Sequence, residues 1–312
     1  MMTQTAQAPH PDLPGAAPAP APAQAARDLI GLQIGELWGR GRLDLVDRLY
    51  TPATIDHMPV PGQTGDVSGL ATVVADFRRA IPDMVITVHA LIGAGDKAAD
   101  IWTLTGTHRG DLPGLPASGA PVRFCGIDMI RAVGGRITDI WHVEEMGRMV
   151  ADMGGALPPV LAPLLSPPGR GGAGGDEAGS PIPVVRPVVV RPVATGEDGL
   201  ATVDLGRRLL DWLFGSGPAP ALAADARDHT CPPGRLPGLA GAQARARFLR
   251  TLCPGPLVVE DGMAEGAFAA LRFTIAGCLP GMVGLQVDGT GTVTDLWLIP
   301  DLMRLPGLRP RD

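Results

Sequence analysis

An α+β fold is predicted, arranged as two units in one chain, each with helices covering a curved antiparallel sheet around a pocket and the second unit shortened. Three observations predict it. Apolar positions recur at helical spacing as far as Ile81. From Val85 the period switches to two and holds to Glu145. Beyond about residue 200 the same signposts return in the same order.

Taken in order, residues 1 to about 24 are Ala/Pro-rich with few large apolar side chains, so burial cannot offset their ordering entropy and a disordered tail is expected. Ile30, Ile34, Leu37 and Trp38 then share one face of a helix that Gly39 and Gly41 end. A short helix follows from about Leu43 to Tyr50, stopped by Thr51-Pro52, and Ile55-Asp56-His57 leads into a Pro/Gly-rich turn. A third helix is expected from Ser68 as N-cap, with Leu70, Val73, Val74, Phe77 and Ile81 on one face. Strands are expected at Val85 to Ile92, Ala98 to His108, Val122 to Val133 and Ile137 to Glu145, the last two joined by a Gly134-Gly135 hairpin turn.

From about residue 154 to 199 the chain reads as a linker, flexible in GGAGGDEAG and extended in PIPVVRPVVVRPVA, whose prolines bar it from a sheet interior. The expected organisation is therefore a tail to 24, a domain over 25–153, the linker, and a second domain over 200–309. In the second domain Asp228-His229 repeats Asp56-His57, Phe248 and Phe273 repeat Phe77 and Trp102, and Val293 to Trp297 repeats Ile137 to Trp141.

Composition narrows the function. A net charge of −6 with no basic block argues against nucleic acid and against an anionic membrane surface as partners. Four widely spaced cysteines, with no CxxC pair, signal neither a disulfide framework nor a structural metal and read as buried reduced thiols. With no leader pattern and no long apolar run, a cytoplasmic protein is expected.

The stretches ELWGRGRLDLVDRLYTPATIDHMPVPG, FRRAIPDMVITV and WTLTGTHRGDLPGLPASGAPVRFCGIDMIRAVGGRITDIWHVEE resemble the SnoaL-like polyketide cyclases, also labelled ester cyclases, over roughly residues 25 to 150. The resemblance implies the NTF2-like fold, a cone of three helices against a curved sheet. It implies acid/base chemistry at Asp128 with His108 lining the same pocket, and no cofactor or metal. The same fold carries isomerases, dehydratases, hydrolases and binding-only proteins, so fold alone does not give the reaction. Simple offsets set Leu279, Gly284 and Leu298 of the second unit where His108, Asp128 and His142 stand, which argues against catalysis there.

The residues allow a reading of their own. Asp128 alternates onto the side of Val122, Phe124 and Ile130, where desolvation would raise its pKa toward the range that both takes and gives a proton. An outward carboxylate paired with arginine is the plain alternative. Trp102, Leu104, Gly106 and His108 share a face by period two, and His108 is expected either to orient Asp128 or to sit at a solvated loop edge. A two-residue turn at Gly134-Gly135 sets Asp128 opposite Trp141, so Trp141 joins the pocket and His142 and Glu144 face away. A bulge would reverse that assignment. Asp56-His57 suggests a turn-stabilising pair first and pocket lining second, while Trp38, Phe77 and Trp102 serve as core and pocket wall together.

The expected function is cofactor-independent proton abstraction and aldol closure on a hydrophobic, carbonyl-bearing molecule. The alternatives are a non-catalytic pocket for a small hydrophobic ligand and a purely structural pseudo-dimer. Ile101, Ile127, Met129 and Ile140 are expected on the far face of the first sheet, covered by Phe273 and the Leu296-Trp297-Leu298 strand, making the chain an intramolecular pseudo-dimer.

Overall fold

A computed structural model describes residues 21–60, 62–165, 188–189, 196–231 and 237–305. The tail expected over 1–24 lies outside the described residues as far as residue 20, but helix α1 (Pro22–Leu32) already starts at its end, with proline in the first turn where its missing N–H costs nothing. The helix runs on as a π-helical turn, Gln33–Trp38, which widens the backbone and brings Gln33, only 2% exposed, onto the core face beside Ile34 and Leu37. A 3₁₀ turn (Leu43–Leu45) and α2 (Val46–Leu49) follow.

The chain then forms a strand that the sequence reading does not contain, β1 (Tyr50–Asp56). Helix α3 (Val67–Ala80) is capped by Asp66, not Ser68, and the Asp66 carboxylate accepts from the Gly69 N–H at 2.9 Å. Strands β2 (Val85–Ala94), β3 (Lys97–Thr107), β4 (Pro121–Val133) and β5 (Arg136–Glu144) complete a sheet in the order β1-β5-β4-β3-β2, and α4 (Met146–Asp152) crosses its end. Because β1 runs parallel to β5, the sheet is mixed and not purely antiparallel.

One irregularity in this sheet decides the site. Gly134 and Gly135 adopt φ +59° and +76°, and Val133 pairs with Arg136 as a two-residue turn requires. Two residues further on the register slips. Ala132 pairs with Ile137 but Arg131 with Asp139, leaving Thr138 as the extra residue of a bulge. Every side chain of β5 beyond Thr138 therefore turns to the other face. Asp128 stands opposite His142, and Trp141 stands opposite Met129.

The second unit has the same frame. After a 3₁₀ turn (Pro159–Leu161) and α5 (Ala162–Leu165) come β6 (Val188–Val189), α6 (Gly196–Leu213), β7 (Leu222–Asp228), α7 (Gly238–Leu252), β8 (Leu257–Glu265), β9 (Phe268–Ile275), β10 (Leu279–Val287), β11 (Val293–Pro300) and a final 3₁₀ turn (Leu302–Arg304). The sheet order β7-β11-β10-β9-β8 repeats that of the first sheet, with β6 added in parallel at the β8 edge. The bulges recur as well, passing over Thr294 in β11 as over Thr138, and over Glu260 in β8 as over His89 in β2. The expected linker is less empty than its composition suggests, because Leu161 and Leu164 are buried in the second core. Most of it, 166–187 and 190–195, lies outside the described residues.

The two sheets pack through one apolar layer that joins Ile101, Ile127 and Met129 to Met263, Met282, Trp297 and Ile299. A knob and a hole fix the fit. A Cβ on Gly284 would lie 2.6 Å from Ile101 Cδ1, so only glycine admits that side chain. The layer corrects two expectations. Ile140 belongs to the helix-covered core of the first unit, since the Thr138 bulge turned it over, and Phe273 points into the second unit's own core. Lys97 with Asp261 and Arg27 with Glu265 add ion pairs across the rim.

Cys125 and Cys253 are buried, and Cys231 and Cys278 are half-buried. No helix among the described residues is long and apolar enough to cross a membrane.

Candidate active site

Between the first sheet and its helices lies a cavity lined by Trp38, Phe77, Trp102 and Phe124, with Asp128, His142, Glu144 and Gln33 supplying its polar groups. The aromatic wall is interlocked. Trp38 meets Phe77 edge-on at 5.9 Å, Phe77 lies 6.4 Å from Phe124, and Phe124 meets Trp102 at 5.9 Å. Trp102 can lie flat across the sheet because Gly126 stands beneath it, where a Cβ would come within 2.1 Å of the indole.

Asp128 is 5% exposed on this wall. Its Oδ2 accepts from Gln33 Nε2 at 3.5 Å, and Gln33 Oε1 in turn accepts the Tyr50 hydroxyl proton at 3.0 Å. Burial, and next the negative charge of Glu144, push the Asp128 carboxyl up to about 7. His142 works against that rise, as does the Trp102 indole N–H, which is close enough to favour the anion but lacks a partner within hydrogen-bond geometry. Directly behind Asp128 on β3, fully buried Asp100 accepts the Asp128 backbone N–H at 3.2 Å. Burial and the neighbouring Asp128 hold Asp100 well above the usual carboxylate range.

His142 ties the carboxylates together. Its Nδ1 lies 2.7 Å from Glu144 Oε1 and its Nε2 3.1 Å from Asp56 Oδ2. Burial alone would lower its pKa, but Glu144 and Asp56 outweigh burial and raise it well above the ordinary histidine value. The ring is therefore an imidazolium donating from both nitrogens, and it has no lone pair free to act as a base. Asp56, 3% exposed, also accepts from Met58 N–H at 2.9 Å and Gln63 Nε2 at 2.9 Å. Burial opposes its ionisation, yet the His142 bond and charge, with the other donors, hold it below the usual carboxylate range.

Five of the expected site residues meet here: Asp128, Trp38, Phe77, Trp102 and Phe124. Three do not. His108 is fully buried but outside the cavity wall, in the loop beyond β3, where its Nδ1 meets Ser118 Oγ at 3.1 Å and no protein atom bonds Nε2. Trp141 was turned away by the Thr138 bulge. It stacks on His57 at 4.5 Å with the Arg272 guanidinium 5.2 Å from its ring centre, and His57 bonds Asp139 at 2.9 Å. His57 and Trp141 therefore belong to the border between the two units, while the polar groups near Asp128 are His142 and Glu144, expected on the far face unless a bulge intervened, Asp56, expected first as a turn residue, and Gln33, which carried no expectation. Only the period-two pairing of His142 with Glu144 signalled them, and the bulge concealed which face they take.

The second unit has the same scaffold and other chemistry. His229 stacks on Trp297 at 4.3 Å and bonds Asp295 at 2.8 Å, as His57 does with Trp141 and Asp139. Register from that tryptophan sets Val283 at the place of Asp128, Leu271 at that of Asp100, Leu298 at that of His142 and Pro300 at that of Glu144. Gly284 thus answers to Met129 and not to Asp128. Leu279, which pairs with Ile275, answers to Phe124 and not to His108.

Among curated proteins none matches the chain. Solved structures similar to it include IdmH from Streptomyces antibioticus, described as a candidate polyketide cyclase, at 28% identity over 43% of this chain and 98% of that one with TM-score 0.36. AclR from Streptomyces galilaeus, described as a candidate hydroxylase, is similar at 22% identity over 43% and 98% with TM-score 0.38, and TsrD from Streptomyces laurentii at 20% over 43% and 97% with TM-score 0.39. The family model described as SnoaL-like polyketide cyclase matches residues 29–152, the segment that builds the first sheet and its cavity.

Proposed function

We propose that the first unit is a cofactor-independent acid/base catalyst that closes a ring on a hydrophobic molecule bearing at least three carbonyl groups, two flanking an acidic carbon and one tethered to it. The observation that carries the proposal is the Asp128 carboxyl group, held near neutral pKa in an aromatic cavity next to a histidine whose pKa is raised. A group poised there can both accept and return a proton without a large driving-force penalty.

The Asp128 carboxylate takes the proton from a carbon flanked by carbonyls, and the electrons of that C–H bond move into the enolate. The enolate carbon then attacks the tethered third carbonyl carbon, forming a C–C bond while that C=O π pair becomes an alkoxide. The new carboxylic acid at Asp128 returns its proton to that alkoxide, so product and substrate are isomers and the enzyme is regenerated. An unaided carboxylate cannot deprotonate an ordinary methylene, which restricts the substrate to acidic carbons. Gln33, held by Tyr50, orients the carboxylate, and the His142 imidazolium favours the anionic enolate and alkoxide electrostatically.

The second unit acts as a degenerate copy that no longer carries this chemistry, and the chain works as a monomeric pseudo-dimer through the shared sheet faces. The common strand order, the common bulges and the repeated His-Trp-Asp arrangement support this reading.

The test is ring closure of an aromatic β-keto ester carrying a tethered ketone, followed as formation of an isomer of unchanged mass. Asp128→Asn is expected to lose closure by about 10²-fold or more while still binding the ester. Closure that persists in Asp128→Asn overturns the assignment in favour of a pocket that only binds.

A further inference from the structure

The cavity at Asp128 shares a wall with an outer hollow, and the second unit supplies part of that hollow's rim. Val60, Gln63, Val73, Phe77 and Met146 line both spaces. The two differ in room. The inner cavity leaves about 40 Å³ to the centre of a water molecule and the outer hollow about 470 Å³. Since roughly 10–15 Å³ of such space holds one water, the inner cavity has room for a few waters and the outer hollow for a ring system. A substrate that reacts at Asp128 therefore has to displace the shared wall. Met146 is suited to that, being unbranched and adaptable.

Met303, in the 3₁₀ turn after β11, lines the outer hollow from the second unit. The turn is anchored at both ends. Asp301 N–H donates to Pro280 O at 2.9 Å, and Arg304 Nε pairs with Asp301 Oδ2 at 2.8 Å. From there Arg304 Nη2 donates to Pro59 O at 3.1 Å, fastening the loop whose next residue, Val60, walls both spaces. Leu302 packs against α4, where a Cβ on Gly147 would lie 3.5 Å from Leu302 Cδ1. The second unit thus touches the entrance from two sides, along the loop and along α4.

We infer that the outer hollow is the binding site for the apolar tail of an elongated, carbonyl-bearing substrate whose reacting end reaches Asp128, and that Met303 and Arg304 of the second unit determine which tails fit. This rests on the acid/base reading for the identity of the reacting end only. The tail site itself follows from the shared wall and the anchored turn. It gives the second unit a part in substrate selection even though its own cavity positions carry no polar chemistry.

The test uses the full-length protein and prodan, a naphthalene ketone whose emission shifts to the blue when it leaves water. Saturable, blue-shifted binding is expected for the wild type. Met303→Trp fills the hollow and is expected to weaken binding by about tenfold or more, and Arg304→Ala, which frees the Pro59 loop without filling anything, to weaken it several-fold. Leu200→Trp, on a side chain of the second unit that is 51% exposed, serves as the control and is expected to change nothing. Val73→Trp, on the shared wall of the first unit, is expected to abolish binding. If Val73→Trp abolishes binding while Met303→Trp and Arg304→Ala leave it unchanged, the second unit has no part in the site. If Val73→Trp also changes nothing, or the wild type shows no saturable binding, the tail site itself is overturned. Prodan binding needs no ionised Asp128, so these outcomes are separate from the ring-closure assay on Asp128→Asn.

Discussion

Replacing His142 by glutamine tests the polar network most directly. The side chains of His142, Asp56 and Glu144 are 11%, 0% and 15% exposed, so solvent screens them little. With charge centres about 4 Å apart, each pair attracts by about 4 kcal/mol at an effective dielectric of about 20, and the desolvation of three charges offsets several kcal/mol of the total. Removing the cation leaves two buried carboxylates without it, and a loss of about 3–5 kcal/mol at neutral pH is expected. The sign with pH follows from the raised His142 pKa. The stabilisation is fully present below the unfolded histidine value of about 6.5 and is lost as pH rises through the higher folded value, so wild type and His142→Gln should converge in alkali. Urea unfolding followed by circular dichroism at pH 6, 7.5 and 9 measures this. His57→Gln is the comparison, because the His57 side chain is 34% exposed and its pair with Asp139 is expected to contribute about 1 kcal/mol or less. A loss below about 1 kcal/mol for His142→Gln, or one that does not shrink with rising pH, refutes the imidazolium assignment.

Three further outcomes are expected. Asp128→Asn should raise the thermal midpoint at pH 8 and above, since the folded state holds that carboxyl at about 7 and its ionisation there costs stability, with the gain vanishing toward pH 4; equal midpoints at pH 8 would show the carboxylate is not disfavoured. Trp297→Ala, at a side chain 1% exposed in the layer between the sheets, should cost about 3–5 kcal/mol in chemical denaturation. Gly126→Ala should distort the cavity wall, because its Cβ meets the Trp102 ring within 2.1 Å, and its signature is a changed near-ultraviolet circular dichroism spectrum together with weakened ligand binding.

Much of this was legible in the residues. The switch from helical to strand period located β2 to β5 closely, the glycine pair set the β4-β5 turn, and the alternation around Asp128 and Phe124 put both on the cavity wall. The misses have local physical causes. A single bulged residue, Thr138, has no signature in apolar periodicity, yet it exchanged Trp141 for His142 at the site and moved Ile140 to the other core. Strand β1 is short, contains Pro52 and pairs in parallel with a distant segment, so nothing local marks it. Gln33 reads as an ordinary polar helix residue until a π-helical turn rotates it inward. His108 shared a face with Trp102 by counting, but β3 ends at Thr107 and the count no longer holds one residue later.

The comparison of the two units explains why the errors matter for function and not for fold. Both sheets solve the same packing problem with the same bulges, and at the position of Asp128 the second unit buries Val283 among Phe273, Leu285 and Leu298. Apolar residues there need no partners. The first unit instead brings Asp128, Asp100, Asp56, Glu144 and His142 together, with Gln63 and Met58 donating to Asp56, Gln33 to Asp128, and His142 to Asp56 and Glu144. Stability alone would favour the second arrangement, since a well-packed apolar set commonly equals or exceeds a buried ion cluster. Under the proposed acid/base function that polar set would hold a near-neutral carboxyl beside the His142 ring for a bound carbonyl compound. The second unit keeps an apolar face against the first sheet and a turn whose Met303 lines the outer hollow.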